Sequence, residues 1–335
     1  MSSLVIAVAC ALAFALTNGL HDAANSFATL VATRGARPGQ AALLSACFNL
    51  LGAVLVGGAV AGTIAGIVTV APTHAVAVVG SGVLGAVWWN LLTWARGTPA
   101  SSSHALVGGL VGSALTESGI HAVAWGGLSG WRPVGVFGVL IALAISPVAG
   151  LLGGVVAVRF LARVFARATT RVRGPVRRAE WMMTAALSFS HGANDAQKAI
   201  GVIVALLVAT GHTASLAAPL WVKVSCGVML TSGTAMGGWR IVRTVGRRIY
   251  RLSPLDGFAS QTASTAVILA SSYIGAPVST THVVASSVVG VGGGRRRWRH
   301  VRWAVVESMA TAWVLTLPAS AGLGAATYLV WKAVG

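Results

Sequence analysis

A chain of 335 residues with 56% hydrophobic and only 9% charged side chains cannot clothe the surface of a soluble domain, which needs about 25% charge. Its mean hydropathy of +0.80 points to lipid as the solvent. The net charge of +18, from 24 basic and six acidic residues, would suggest nucleic acid in a soluble protein. Here the arginines fall between apolar runs, where they set membrane topology, and no nucleic-acid motif accompanies them.

In chain order, apolar runs long enough to span ~30 Å of hydrocarbon cover residues 4–30, 41–61, 74–94 and 133–158, with a shorter one at 101–115. The first resembles a signal peptide but lacks a basic start and leads straight into Asn18, His21, Asp22 and Asn25, so it is read as a span. Trp125 and Trp131, between the fourth and fifth runs, are read as interface anchors. Seven arginines then fall between Arg159 and Arg178, and the four-residue spacing of Arg159, Arg163 and Arg167 extends the fifth helix out of the membrane. Further runs cover 180–207, 217–237, 257–272, 277–291 and 303–331, separated by two linkers of five arginines each. The expected fold is all-alpha: a polytopic membrane protein of ten spans in two five-span repeats, 1–158 and 180–335, joined by a basic linker, 159–179. With the first span running inward, 20 of the 24 basic residues lie inside, and both termini lie outside the cell membrane. That basic face suits anionic lipids and an acidic cytoplasmic regulatory partner. Cys10, Cys47 and Cys226 are unpaired by spacing and read as small core residues.

Two motif pairs reveal the repeat. His21-Asp22-Ala23-Ala24-Asn25 recurs as Asn194-Asp195-Ala196-Gln197-Lys198, and Pro99-Ala100-Ser101-Ser102-Ser103-His104 recurs as Pro277-Val278-Ser279-Thr280-Thr281-His282. Five spans per unit force the second copy to insert upside down, the plan on which many transporters build a central site.

Of the six acids, only Asp22 and Asp195 lie inside apolar runs, at equivalent places in the repeat. A carboxylate at that depth costs ~2.5–3.5 kcal/mol even on lenient scales, so the pair is read as handling a cation or proton. The glycines and amides around each (Asn18, Gly19, Asn25 and Ser26; Ser190, His191, Gly192, Asn194 and Gln197) predict helices broken at both motifs. The hydroxyl clusters Ser101, Ser102, Ser103 and Ser279, Thr280, Thr281 stand where helices begin, and suit either an oxyanion or plain N-capping. Lys198 either neutralises Asp195 or attracts an anion. Lys223 is left between a core ion pair, snorkelling and function.

These motifs resemble the inorganic phosphate transporter (PiT) family, whose repeated signature is similar to Gly192-Ala193-Asn194-Asp195-Ala196-Gln197-Lys198 and whose Pro-Val-Ser-Thr-Thr-His element is similar to residues 277–282. The resemblance implies import of inorganic phosphate with a co-transported cation, in a homodimer, with the site between inverted repeats. It implies a site of Asp22, Asn25, Asn194, Asp195, Gln197, Ser101, Ser102, Ser103, Ser279, Thr280 and Thr281. Asp22, Asn25, Asn194 and Asp195 are the ligands if sodium is the coupling ion, and His21, His104, Lys198 and His282 are modulators. No cofactor is expected. His21 stands where the family often has Asn, and an imidazole favours proton coupling, with a metal–phosphate complex as an alternative substrate. A sulphate permease is the nearest rival. Neither a serine elbow nor a His-Glu-x-x-His zinc motif supports an enzyme.

Overall fold

The computed structural model describes residues 2–167 and 172–334. The first half holds α1 (Ser2–Ala32), α2 (Pro38–Leu55), α3 (Ala59–Ala65), α4 (Pro72–Arg96), α5 (Ser102–Ser118) and α6 (Gly135–Val164). The second holds α7 (Arg173–Ala209), α8 (Leu220–Met236), α9 (Trp239–Arg243), α10 (Pro254–Tyr273), α11 (Thr280–Gly294) and α12 (Trp303–Val334). Six of these helices (α1, α2, α4, α6, α7 and α12) are long and apolar enough to cross a membrane. One departure from an all-alpha chain is a small hairpin, β1 (Gly127–Ser129) against β2 (Arg132–Val134). Its two-residue turn uses Gly130 at φ +62°, which favours glycine. Trp131, at the turn, is 90% exposed. Arg171, one of the seven linker arginines, lies outside the described residues.

The order long, medium, short, long, medium, long occurs twice, the short helices being α3 and α9 with seven and five residues, and the packing repeats with it. α1 packs on α8 as α7 packs on α2, and α5 packs on α12 as α11 packs on α6. The closest crossings are made by small residues at matched places. A Cβ on Gly19 would lie 2.0 Å from the Leu230 carbonyl, and one on Gly192 would lie 2.0 Å from the Asn49 carbonyl. Likewise Gly112 meets the carbonyl of Ala321, and Gly290 that of Leu151. Between membrane helices, where lipid is as apolar as leucine, such close backbone approach supplies much of the packing energy. Each half also carries one proline inside its last helix, Pro147 and Pro318.

The expected breaks at Asn18 and Ser190 are absent: α1 and α7 run unbroken through both Asp motifs. The glycines there serve helix contact instead of a bend. The chain leaves helical geometry at residues 97–101 and 275–279, just before α5 and α11. Pro99 and Pro277 cannot donate a backbone hydrogen bond and disfavour helix at the residue before them. Residues 41–61, expected as one span, divide into α2 and α3 around Gly57 and Gly58. The arginine-spaced extension of α6 reaches Val164. Cys226 is buried as expected and Cys10 is half-buried, whereas Cys47 faces outward from α2.

The ends of the helices are tied in a pattern that bears on topology. His74 Nδ1 at the start of α4 lies 2.7 Å from Glu117 at the end of α5. In the second half, Asp256 near the start of α10 meets Arg295 just past α11 at 2.9 Å. At the opposite end of each pair, Arg240 donates to the Ala95 carbonyl near the end of α4, and Thr63 of α3 donates to the Gly275 carbonyl after α10 (2.8 Å).

Candidate functional site

α1 and α7 cross in the interior and bring their two carboxylates together beside the starts of α5 and α11. Asp22 and Asp195 are each 1% exposed. Asp22 accepts hydrogen bonds from Ser102 Oγ (2.6 Å) and Thr281 Oγ1 (2.9 Å). Asp195 accepts one from Thr280 Oγ1 (3.1 Å). Asn25 Nδ2 faces both threonine hydroxyls, at 3.3 Å from Thr280 and 2.9 Å from Thr281. The first turn of α11 therefore joins the motif of one half to that of the other.

The charged neighbours differ. Lys198, wholly buried one helical turn beyond Asp195, donates to its Oδ1. His191 Nε2, one turn before, lies 2.7 Å from Oδ2. Beside Asp22 stands His21, whose Nδ1 is 3.1 Å from Oδ1 and whose Nε2 is 3.1 Å from Thr93 Oγ1 of α4. Ligand atoms of Asp22, His191 and Asp195 all lie within 4.8 Å of one another, a spacing that suits a shared cation. Lone carboxylates at this depth would be costly; hydroxyl donors and one ammonium supply the compensation.

Six of the expected site residues thus converge: Asp22, Asn25, Asp195, Ser102, Thr280 and Thr281. The others are close but differently engaged. Ser101 and Ser279 cap α5 and α11, each accepting the backbone N–H of the histidine three residues on (3.3 Å). Ser103 donates to the Val278 carbonyl (3.0 Å). Asn194 donates to Ser272 Oγ (3.0 Å) and the Ala276 carbonyl (3.2 Å), holding the extended chain before α11. Gln197 accepts from the backbone of Val60 and Ala61 at the start of α3 (2.8 and 3.2 Å). His104 and His282 stack on each other with ring centroids 5.0 Å apart, and His282 rests on Trp313 at 4.0 Å.

Some participants carry no motif. Asn49 of α2 contacts His191 Nδ1 (3.1 Å) and donates to Thr234 of α8 (3.0 Å). Among the described residues, Asn18, Ser26 and Asn90 are buried with side-chain atoms that lack any protein hydrogen-bond partner, and so is the Asn194 carbonyl. Each orphan is worth about 1–3 kcal/mol of lost solvation, and Asn18, Ser26 and Asn194 lie in or beside the two Asp motifs. Single amides inside the apolar runs at 49 and 90 were the available signal.

Buried carboxylates, a buried ammonium and helix starts rich in hydroxyls, held among long apolar helices, are features of a membrane protein that handles small ions. The sequence profile described as the Phosphate transporter family matches residues 18–324, and the chain belongs to that family: it is a multi-pass membrane transporter, not an enzyme. It is similar to the "Probable low-affinity inorganic phosphate transporter" of Rhizobium meliloti (strain 1021), 39% identical over 97% of this chain and 95% of that one. The protein of the same description from Bacillus subtilis (strain 168) is 37% identical over 97% and 96%. A solved structure titled "The sodium-dependent phosphate transporter" superposes with a TM-score of 0.85, at 26% identity and with all of both chains covered.

Proposed function

We propose that this protein imports inorganic phosphate together with a cation by alternating access, and that Asp22, Asp195 and the first turn of α11 form the shared site. The observation that carries this reading is the pair of bonds Thr281–Asp22 and Thr280–Asp195, made by adjacent residues of one helix start. A helix start favours an oxyanion through its free N–H groups and dipole. An oxyanion that takes the two threonine hydroxyls strips one donor from each carboxylate, leaving Asp22 with Ser102 and Asp195 with Lys198 and His191, and a cation offsets the lost donors. Binding of each ion therefore strengthens binding of the other, as linkage requires.

The fixed charges agree. With the histidines neutral, two carboxylates and Lys198 leave one net negative charge in the pocket. A phosphate dianion can join them only with compensating cations. An imidazole 3.1 Å from Asp22 supports the proton as coupling ion; Asp22, Asn25, Asn194 and Asp195 offer the oxygen ligands if sodium is used.

The topology that fits this mechanism is ten crossings in two inverted repeats. α4 and α10 each run toward one face, and the chain returns as an extended segment followed by the half-length helix α5 or α11. The extended halves are the broken part of the fold, and they deliver helix starts to mid-depth, where irregular backbone is tolerated because it lines the site. Arg240 of the second half packs against Ala95 and Gly97, on either side of Arg96 in the first, in keeping with cytoplasmic arginines and external termini.

The test is phosphate uptake into proteoliposomes with an imposed proton or sodium gradient. Accumulation driven by the proton gradient and unchanged by sodium supports the reading in full. Strict sodium dependence would reassign the coupling ion, and inhibition by sulphate at concentrations below that of phosphate would reassign the substrate.

A further inference from the structure

Well away from the central site, the arginine-rich end of the molecule holds a cavity of about 770 Å³ lined by Arg34, Arg247, Arg251, Arg297 and Arg302 over Tyr250. Three segments build it: the end of α1, the π-helical turn Thr244–Arg248 with the chain after it, and the 3-10 turn Trp298–His300. The N–H of Arg302 donates to the Ile249 carbonyl (3.0 Å) and fastens two of these loops together. Among the described residues, none of the five guanidinium groups is paired with a carboxylate. Of the nearby acids, Asp256 meets Arg295, and Glu180 Oε1 accepts from Thr33.

Arginines that only set topology need no common cavity, and two backbone features indicate more. α1 and α11 each end in a hydrogen-bonded reversal whose left-handed position, usually glycine, is arginine: Arg34 at φ 61° and Arg296 at φ 58°. These are the only non-glycine residues with positive φ among those described. The left-handed conformation costs an ordinary side chain about 1–2 kcal/mol, and each reversal sets an arginine, Arg34 or Arg297, into the cavity wall.

Depth points to the ligand. Ala32, in the cavity wall, lies ten residues beyond Asp22 on α1, about 15 Å at 1.5 Å per residue, which is half the ~30 Å hydrocarbon thickness. Trp298 and Trp303, half-exposed and stacked with centroids 6.2 Å apart, flank the same turn, and tryptophans of this kind settle at headgroup level. The volume is that of a small-molecule site, and convergent guanidinium forks match phosphate oxygens in pairs. We propose that this cavity binds the phosphate-bearing headgroup of an anionic phospholipid from the adjoining leaflet.

The experiment is thermal unfolding of the full chain in nanodiscs of phosphatidylcholine, alone or with phosphatidylglycerol or cardiolipin. Anionic lipid should raise the wild-type Tm by several degrees. The triple variant Arg251→Gln, Arg297→Gln, Arg302→Gln should lose most of that shift, and Arg297→Gln alone should lose part of it should the triple variant not fold. A control with the same charge removed from the outward face of α6 and its extension (Arg159→Gln, Arg163→Gln, Arg167→Gln) should keep it. Equal loss in the control would reduce the effect to bulk surface charge and overturn the proposal. Millimolar inorganic phosphate in neutral discs should shift wild type and triple variant alike. If the triple variant instead loses the phosphate shift and keeps the lipid shift, the cavity is a vestibule for the free ion and the lipid assignment is wrong.

Discussion

Asp22 and Asp195 occupy equivalent places in the two halves, yet their surroundings differ. Asp195 is neutralised from its own helix by Lys198, with His191 beside it. Asp22 has no fixed cation: Asn25 stands where the second half has Lys198, and the carboxylate relies on hydroxyls from both halves and on His21. The helix packing is matched between the halves, down to the glycine contacts, while the charged neighbours differ. The half without a built-in cation is the one suited to receive a travelling one, and the half with the lysine is suited to draw the anion.

The comparison can be broken at the shared scaffold. Gly19→Ala and Gly192→Ala each drive a methyl to within 2.0 Å of a carbonyl oxygen on a facing helix. Each should destabilise by ~3 kcal/mol, the upper end of overpacking costs, and should reduce folded protein in the membrane. Gly39→Ala, with nothing within 4 Å, should be neutral, so detergent thermal unfolding of the three variants checks the claim.

The asymmetry itself is tested next. Lys198→Met leaves Asp195 buried without its ammonium and should cost ~3–5 kcal/mol, the usual effect of removing one partner of a buried pair. Adding Asp195→Asn should restore much of that stability and none of the transport. The equivalent change in the first half, Asn25→Ala, removes only neutral hydrogen bonds and should cost ~1–2 kcal/mol. Similar losses for Lys198→Met and Asn25→Ala would mean that the halves are electrostatically alike.

A smaller effect sharpens the role of α11. Thr281→Val removes the donor to Asp22 and the acceptor of Asn25 while keeping the shape. Uptake should fall ~10-fold, as for a loss of about 1.4 kcal/mol. Ser103→Ala, whose hydroxyl serves the Val278 carbonyl, should retain more activity than Thr281→Val.

Much of this was legible in the sequence. The long apolar helices, the burial of Asp22 and Asp195 and the helix starts at Ser102 and Thr280 followed from charge in an apolar run and from paired motifs. The breaks were misplaced because glycine has two uses in a membrane: Gly19 and Gly192 suggested a bend, but backbone contact between helices accounts for them. The interruptions of helix lie instead at Pro99 and Pro277, the first residues of the second motif pair. Asn49 and Asn90 went unnoticed because a single amide in an apolar run has no motif around it. Gln197, chosen by its motif, holds the start of α3, a contact between residues 136 and 137 positions apart that no local pattern announces.

The account stands on both carboxylates serving one transport site. Phosphate uptake by Asp22→Asn and Asp195→Asn in proteoliposomes, at protein levels matched to wild type, tests it most directly. Each variant should transport at no more than a tenth of the wild-type rate; near-normal uptake by either would remove that residue from the site and contradict the shared mechanism.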